Sequence, residues 1–149
     1  MTVLSAQTIR RLGLVYPCLE AHRHEETGTT GGLSCCGYDL HLAQDVHLYR
    51  GSFALASVAE QLYLPINVVG IVHDKSTWAR RGLAVQNTVA EPGWRGYLTL
   101  ELTNHGLDPL HLPAGTPVAQ VIFHFLDEAT EQPYRGKYQD QEYGPQEAR

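Results

Sequence analysis

No apolar run in this chain lasts long before a turn residue stops it. Tyr38–Leu42, Val46–Tyr49, Phe53–Ala56, Val68–Val72, Leu83–Thr88, Tyr97–Thr103 and Val118–Phe125 read as strands, with Gly, Pro, Asn or Asp between them. Short strands at this spacing indicate an all-β sandwich or barrel with few helices. Two segments break the pattern. Ser5–Leu12 reads as a short helix with Ser5 as N-cap and Ile9 and Leu12 facing inward, ended by Gly13 and Pro17. Ser76–Arg81, followed by Gly82 at C′, reads as a helix of about two turns.

The rest of the chain divides simply. Cys18–Ser34 is polar and Gly-rich and is expected to be a long surface loop. A β domain over 1–126 is followed by a polar tail, 127–149, which carries Tyr134, Tyr138 and Tyr143 among charges and cannot order itself alone. With 149 residues the chain has the size of one domain, and 43% apolar residues against 18% charged exclude wholesale disorder. A net charge of −5 argues against a nucleic-acid polymer or a membrane surface as partner, so any anionic ligand must meet a local cationic site.

Cysteine and histidine usage excludes two further classes. Cys18, Cys35 and Cys36 are odd in number, and the adjacent pair is poorly placed for a mutual disulfide, so a stapled secreted scaffold does not fit. Buried structural thiols are the expectation. The 8 histidines lack ligand spacing, and no zinc site is expected. Without an apolar run long enough to span a bilayer, the chain is expected to be soluble and cytoplasmic, in a host cytoplasm if it is phage-encoded.

Four stretches carry candidate chemistry. In Lys75-Ser-Thr-Trp-Ala-Arg80, a helix starting at Ser76 presents free backbone N–H groups, with Lys75 as a point charge and Arg80 as a bidentate fork. This suits a polyphosphate; a capped surface helix with solvated charges is the plain alternative. In Glu91-Pro-Gly-Trp-Arg-Gly-Tyr-Leu-Thr-Leu-Glu-Leu-Thr-Asn104, the strand after Gly96 alternates. Leu98, Leu100 and Leu102 take one face, and Tyr97, Thr99, Glu101 and Thr103 the other. A mid-strand Glu101 is either solvated on an outer face or placed for acid–base work. Asp39, inside an apolar strand start, reads as a network residue. Pro133-Tyr-Arg-Gly-Lys-Tyr-Gln-Asp-Gln141 could close over a charged ligand or be an ordinary frayed end.

In order along the chain, these segments resemble the dCTP deaminase branch of the trimeric dUTPase-like superfamily. The motifs are Leu4-Ser-Ala-Gln-Thr-Ile-Arg10, Gly37-Tyr-Asp-Leu40, Phe53-Ala-Leu-Ala56, Lys75-Ser-Thr-Trp-Ala-Arg-Arg-Gly-Leu83, Glu91-Pro-Gly-Trp-Arg-Gly96, Thr99-Leu-Glu-Leu102, Gly115 to Phe123 and the tail from Tyr134 to Gln141. The resemblance implies a distorted β-barrel or jelly-roll protomer in a homotrimer with active sites shared between subunits. It implies hydrolytic deamination of dCTP to dUTP and ammonia, with Glu101 as general acid/base and Ser76 and Arg80 positioning the water and binding phosphate. Lys75 and Thr77 join the substrate-binding set, Glu91 and Trp94 hold the deoxyribose, and Tyr134, Lys137 and Gln141 close over the phosphates. Magnesium is carried by the triphosphate, and zinc is not used: the His-x-Glu and Pro-Cys-x-x-Cys signature of zinc deaminases is absent.

Two departures accompany the resemblance. Gln86-Asn-Thr-Val-Ala-Glu-Pro-Gly93 is about two residues shorter than the hairpin His-x-Thr-Ala-x-x-Ile-Asp-Pro-Gly, with Glu91 in place of Asp. Glu91-Pro-Gly-Trp-Arg-Gly96 also follows the dUTPase pattern Asp-x-x-Tyr-Arg-Gly, although the Gly-rich dUTPase tail is missing. A bifunctional dCTP deaminase/dUTP diphosphatase, or a dUTPase, is therefore the alternative, and a catalytically silent nucleotide-binding protein the third.

Overall fold

The computed structural model describes residues 2–86 and 88–149. Along the chain run β1 (Thr2–Val3), α1 (Ala6–Leu12), β2 (Val15–Tyr16), β3 (His22–Arg23), β4 (Thr30–Ser34), β5 (Gly37–His41), β6 (Val46–Leu48), β7 (Phe53–Tyr63) and β8 (Val68–Asp74). After these come α2 (Ser76–Ala79), β9 (Leu83–Val85), β10 (Val89–Ala90), β11 (Arg95–Asn104), β12 (Leu110–Leu112) and β13 (Pro117–Phe125). One antiparallel sheet has the order β10-β8-β13-β5-β4-β3, with β1 added to β13. A second has the order β2-β7-β11-β9, and β12 with β6 forms a separate pair. The chain is thus mostly β with few helices, as the turn spacing predicts.

Period-two patterning explains the core. Along β13, Val121 and Phe123 are fully buried while Gln120 and Ile122, which alternate with them, are less so, and Leu100 and Leu102 of β11 are buried from the second sheet. Burying apolar area of this kind is the main term favouring the fold. No helix among the described residues is long and apolar enough to cross a membrane.

Several expectations are corrected. The segment 18–34 is not one loop: β3 and β4 pair within it, and β4 joins β5, so a Gly- and Thr-rich strand is held by its neighbours. β7 continues to Tyr63 because Glu60, a charged side chain that interrupts the apparent apolar pattern, points inward and is only 1% exposed. Leu12 is exposed, leaving Ile9 as the buried residue of α1. Cys35 and Cys36 lie exposed in the β4–β5 turn, against the expectation of buried thiols, while Cys18 is half-buried and packs against the core. The strand Leu83–Thr88 ends at Val85, and the short-hairpin expectation includes Asn87, which lies outside the described residues.

α2 is a single turn rather than two. Its anchor is Trp78, which is buried and donates its indole N–H to the Pro117 carbonyl at 2.9 Å. The chain turns away at Gly82, where φ is +93° and a Cβ would fall 2.2 Å from the Gly106 nitrogen. Lys75, just before α2, is turned inward: its ammonium lies 2.7 Å from Asp39 Oδ2 and 3.4 Å from Thr30 Oγ1, with its side chain 9% exposed. Its charge holds β8 to β5, and Asp39 has the network role expected of it. Breaking a buried ion pair leaves one charge uncompensated. Lys75→Ala is therefore expected to cost about 3–5 kcal/mol, read as a lower denaturation midpoint in the unliganded protein; an unchanged midpoint would show that the pair does not hold the fold.

Candidate active site

β7 and β11 build the floor of a cavity of about 480 Å³. Their antiparallel register sets Glu101 opposite Leu55 and Thr103 opposite Phe53. A bulge between Tyr97 and Thr99 breaks the simple alternation expected of β11, so Leu98, Thr99 and Glu101 all line the cavity. Thr88, Val89, Ala90, Glu91 and Trp94 form one wall. Phe53, Leu55 and Leu98 make the surroundings of Glu101 apolar, and burial pushes its carboxyl above the ordinary carboxylate range.

The tail forms the other wall. Tyr134, Tyr138, Gln141, Gln146 and Ala148 line the cavity, and backbone pairing fixes them there. Tyr134 donates its N–H to Pro92 O at 2.8 Å, Asp140 to Arg95 O at 3.0 Å, and Gln141 accepts from Tyr97 N–H at 2.9 Å. The buried Trp94 donates its indole N–H to Tyr138 O at 2.7 Å, which puts its ring beneath the tail. Thr99 Oγ1 accepts from Gln141 Nε2 at 2.6 Å and from Gln146 N–H at 3.0 Å, tying the tail to the strand that carries Glu101. The tail that could not order alone is ordered by docking.

Gly96 permits that approach. At φ +144° it sits where side chains are rarely accommodated, and a Cβ would fall 2.7 Å from the Gln141 nitrogen and 2.9 Å from its oxygen. Gly96→Ala should displace the tail from β11 while the two sheets stay folded. Limited proteolysis checks this: cleavage within 133–146 should be faster in the variant, and unchanged protection would show that the tail is held elsewhere.

The structure brings Glu101, Glu91, Trp94, Tyr134 and Gln141 of the sequence-derived set to one cavity. Ser76, Thr77 and Arg80 are exposed on and beside α2 and do not line it. Lys137 is also exposed, with Nζ hydrogen-bonded to the Arg149 carbonyl and lying 5.1 Å from the Tyr138 ring centroid. Sequence reasoning missed Thr99, Tyr138, Gln146 and the apolar Phe53 and Leu55 as cavity residues. Thr99 was within reach, two positions before Glu101; Phe53 and Leu55 gain their place only from cross-strand register. Among the described lining residues two are carboxylates and none is a cation, so one chain alone offers poor support for a polyanion. Nor do the described residues contain a group of three or more His, Cys, Asp or Glu that could hold a metal.

With this geometry established, the chain can be set beside known proteins. A family model for dCTP deaminase-like proteins matches residues 39–126. The dCTP deaminase of Nitrosomonas europaea is 33% identical over 181 aligned residues, covering 95% of this chain and 96% of the relative. That of Paracidovorax citrulli is 47% identical over 93 residues, 60% of this chain and 50% of the relative. Among solved structures, the 2′-deoxycytidine 5′-triphosphate deaminase of Agrobacterium tumefaciens matches with a TM-score of 0.66 at 15% identity, covering 83% of this chain and 48% of that one. The native dUTPase of EIAV matches with a TM-score of 0.57 at 25% identity, covering 68% of this chain and 84% of that one.

Proposed function

The chain belongs to the dCTP deaminase-like family, and on that premise we propose that it deaminates dCTP hydrolytically, releasing dUTP and ammonia. The observation that carries this reading is Glu101, a carboxylate in a largely apolar cavity whose proton affinity is raised by burial. Glu101 takes a proton from a water as the water oxygen bonds to C4 of the cytosine ring and electrons move to N3. The carboxyl returns the proton to the ring. A second transfer, of the C4 hydroxyl proton to the exocyclic nitrogen, lets the C4–N bond break, leaving a C4 carbonyl and ammonia. One group can serve as base and then acid when its proton affinity lies nearer to neutrality than an ordinary glutamate's. Zinc has no part in this step.

The base and sugar fill the cavity, with Trp94 beneath the tail and Glu91 at the hairpin. The triphosphate needs cations that the cavity lacks, and exposed Ser76, Thr77 and Arg80 are the groups to supply binding from a neighbouring subunit, with Lys137 on the tail. This reading makes the protein a homotrimer whose sites are completed across subunit contacts. Magnesium bound to the triphosphate screens its charge and is held mainly by phosphate oxygens and water.

A second reading has one observation in its favour: Glu91 lines the same cavity, so a second carboxylate is available for water attack on the α-phosphate of dUTP. A single assay separates the readings. With magnesium and dCTP, ammonia should appear without pyrophosphate; ammonia with pyrophosphate identifies a bifunctional enzyme. Pyrophosphate from dUTP with no ammonia from dCTP overturns the proposal, and binding without turnover identifies a silent nucleotide-binding protein.

A further inference from the structure

A second polar arrangement, none of whose residues lines the cavity, joins β3, β5 and β7. Glu60, almost wholly buried, accepts the backbone N–H of His41 at 3.1 Å and the Tyr38 hydroxyl at 3.2 Å. It is also hydrogen-bonded to His41 Nδ1. The Tyr38 hydroxyl also lies 3.3 Å from the Pro17 carbonyl and accepts the Leu19 N–H at 3.3 Å. With these donors converging on it, Glu60 is the acceptor and His41 Nδ1 carries the proton. His22 reaches the same state by another route. Its Nδ1 lies 3.0 Å from the Glu20 carbonyl, which can only accept, so this nitrogen is also an N–H.

With each Nδ1 committed to an acceptor, the two Nε2 atoms face each other 3.2 Å apart. Two imidazole nitrogens at that distance share either one proton or one metal ion. The rings are within 14° of parallel and their centroids are 5.0 Å apart, closer than two imidazoles meeting head-on across that gap. A cation at an apex off the line between the nitrogens fits that spacing. Gly31 keeps the space open: a Cβ there would fall 2.4 Å from His41 Nε2 and 3.2 Å from His22 Cε1.

We propose that His22 and His41 chelate one divalent cation of borderline softness, such as zinc, through their Nε2 atoms. At metal–nitrogen distances of about 2.0–2.1 Å, the 3.2 Å separation gives an angle of about 100–106° at the metal, close to tetrahedral. Metal-binding histidines donate their other N–H to a carboxylate or backbone carbonyl, which fixes the tautomer, and here Glu60 and Glu20 do both. The described residues form no group of three or more candidate ligands, and His22 is exposed, so water completes the coordination. The site exchanges with solvent and stands apart from catalysis. Sequence spacing hides it, because strand pairing from β3 through β4 to β5 brings together histidines 19 positions apart.

The test uses metal-stripped, untagged full chain carrying His47→Ala. That substitution removes the other close pair, the exposed His47 and His111, whose Nδ1 atoms are 3.0 Å apart. Titration with zinc chloride in a calorimeter should show about one equivalent bound per chain. Adding His22→Ala, an exposed substitution compatible with folding, should abolish that equivalent or weaken it at least ~10-fold, and Co(II) should lose its visible d–d bands in the same variant. Zinc uptake unchanged by His22→Ala overturns the proposal. So does the absence of uptake by the folded parent, which would mean that a shared proton bridges the two rings.

Discussion

Glu101→Gln should lower kcat for dCTP by roughly 10²–10⁴-fold, the range for loss of a general acid/base, while nucleotide affinity changes little. The amide keeps the shape and hydrogen-bonding reach of the carboxyl but cannot take the water's proton. Single-turnover assays of ammonia release measure the first quantity and equilibrium binding of dCTP the second; retained turnover would remove Glu101 from the mechanism. Stability should move the other way. Burial raises the folded-state pKa of Glu101, so the folded protein favours the protonated form and is penalised once pH rises through that raised value. The Gln variant escapes the penalty. Its denaturation midpoint should exceed the parent's at neutral pH, and the difference should vanish in acid, below the ordinary glutamate range. The acid limb of the parent's pH–rate profile should likewise lie above that range.

Arg80→Ala should lower kcat/KM for dCTP by roughly 10²–10³-fold, comparable with losing a positioned donor to a developing or fixed anion. Arg80 is exposed, so the same change should leave the denaturation midpoint of the unliganded protein nearly unchanged. This separates it from Lys75, whose replacement should weaken the fold before it weakens binding. Steady-state kinetics beside thermal melts distinguish the two, and normal kinetics for Arg80→Ala would remove α2 from the site.

Different parts of the molecule were legible in the sequence to different degrees, for physical reasons. β13 and the second half of β11 show their alternation openly because one face is buried and the other is not. β7 hid its second half because Glu60 is a buried carboxylate with partners 19 and more positions away in sequence. β3 and β4 hid because their stability comes from pairing with β5 rather than from their own residues. Lys75 read as a free cation because Asp39, its partner, lies 36 positions away. At the site, Glu101, Glu91, Trp94, Tyr134 and Gln141 line one cavity, and Ser76, Thr77 and Arg80 stand apart on one chain. An arrangement divided in this way makes chemical sense when a neighbouring chain supplies the missing half. Thr99 and Tyr138 became visible only once the bulge in β11 and the docked tail were in view.

Mixing two inactive variants tests that division most directly. Glu101→Gln and Arg80→Ala subunits, combined in equal amounts and allowed to reassemble, should regain dCTP-dependent ammonia release. On the proposal that each site takes Glu101 and Arg80 from different chains of a trimer, random assembly restores about a quarter of the wild-type activity. A mixture no more active than the sum of the separate variants would contradict a site built between subunits.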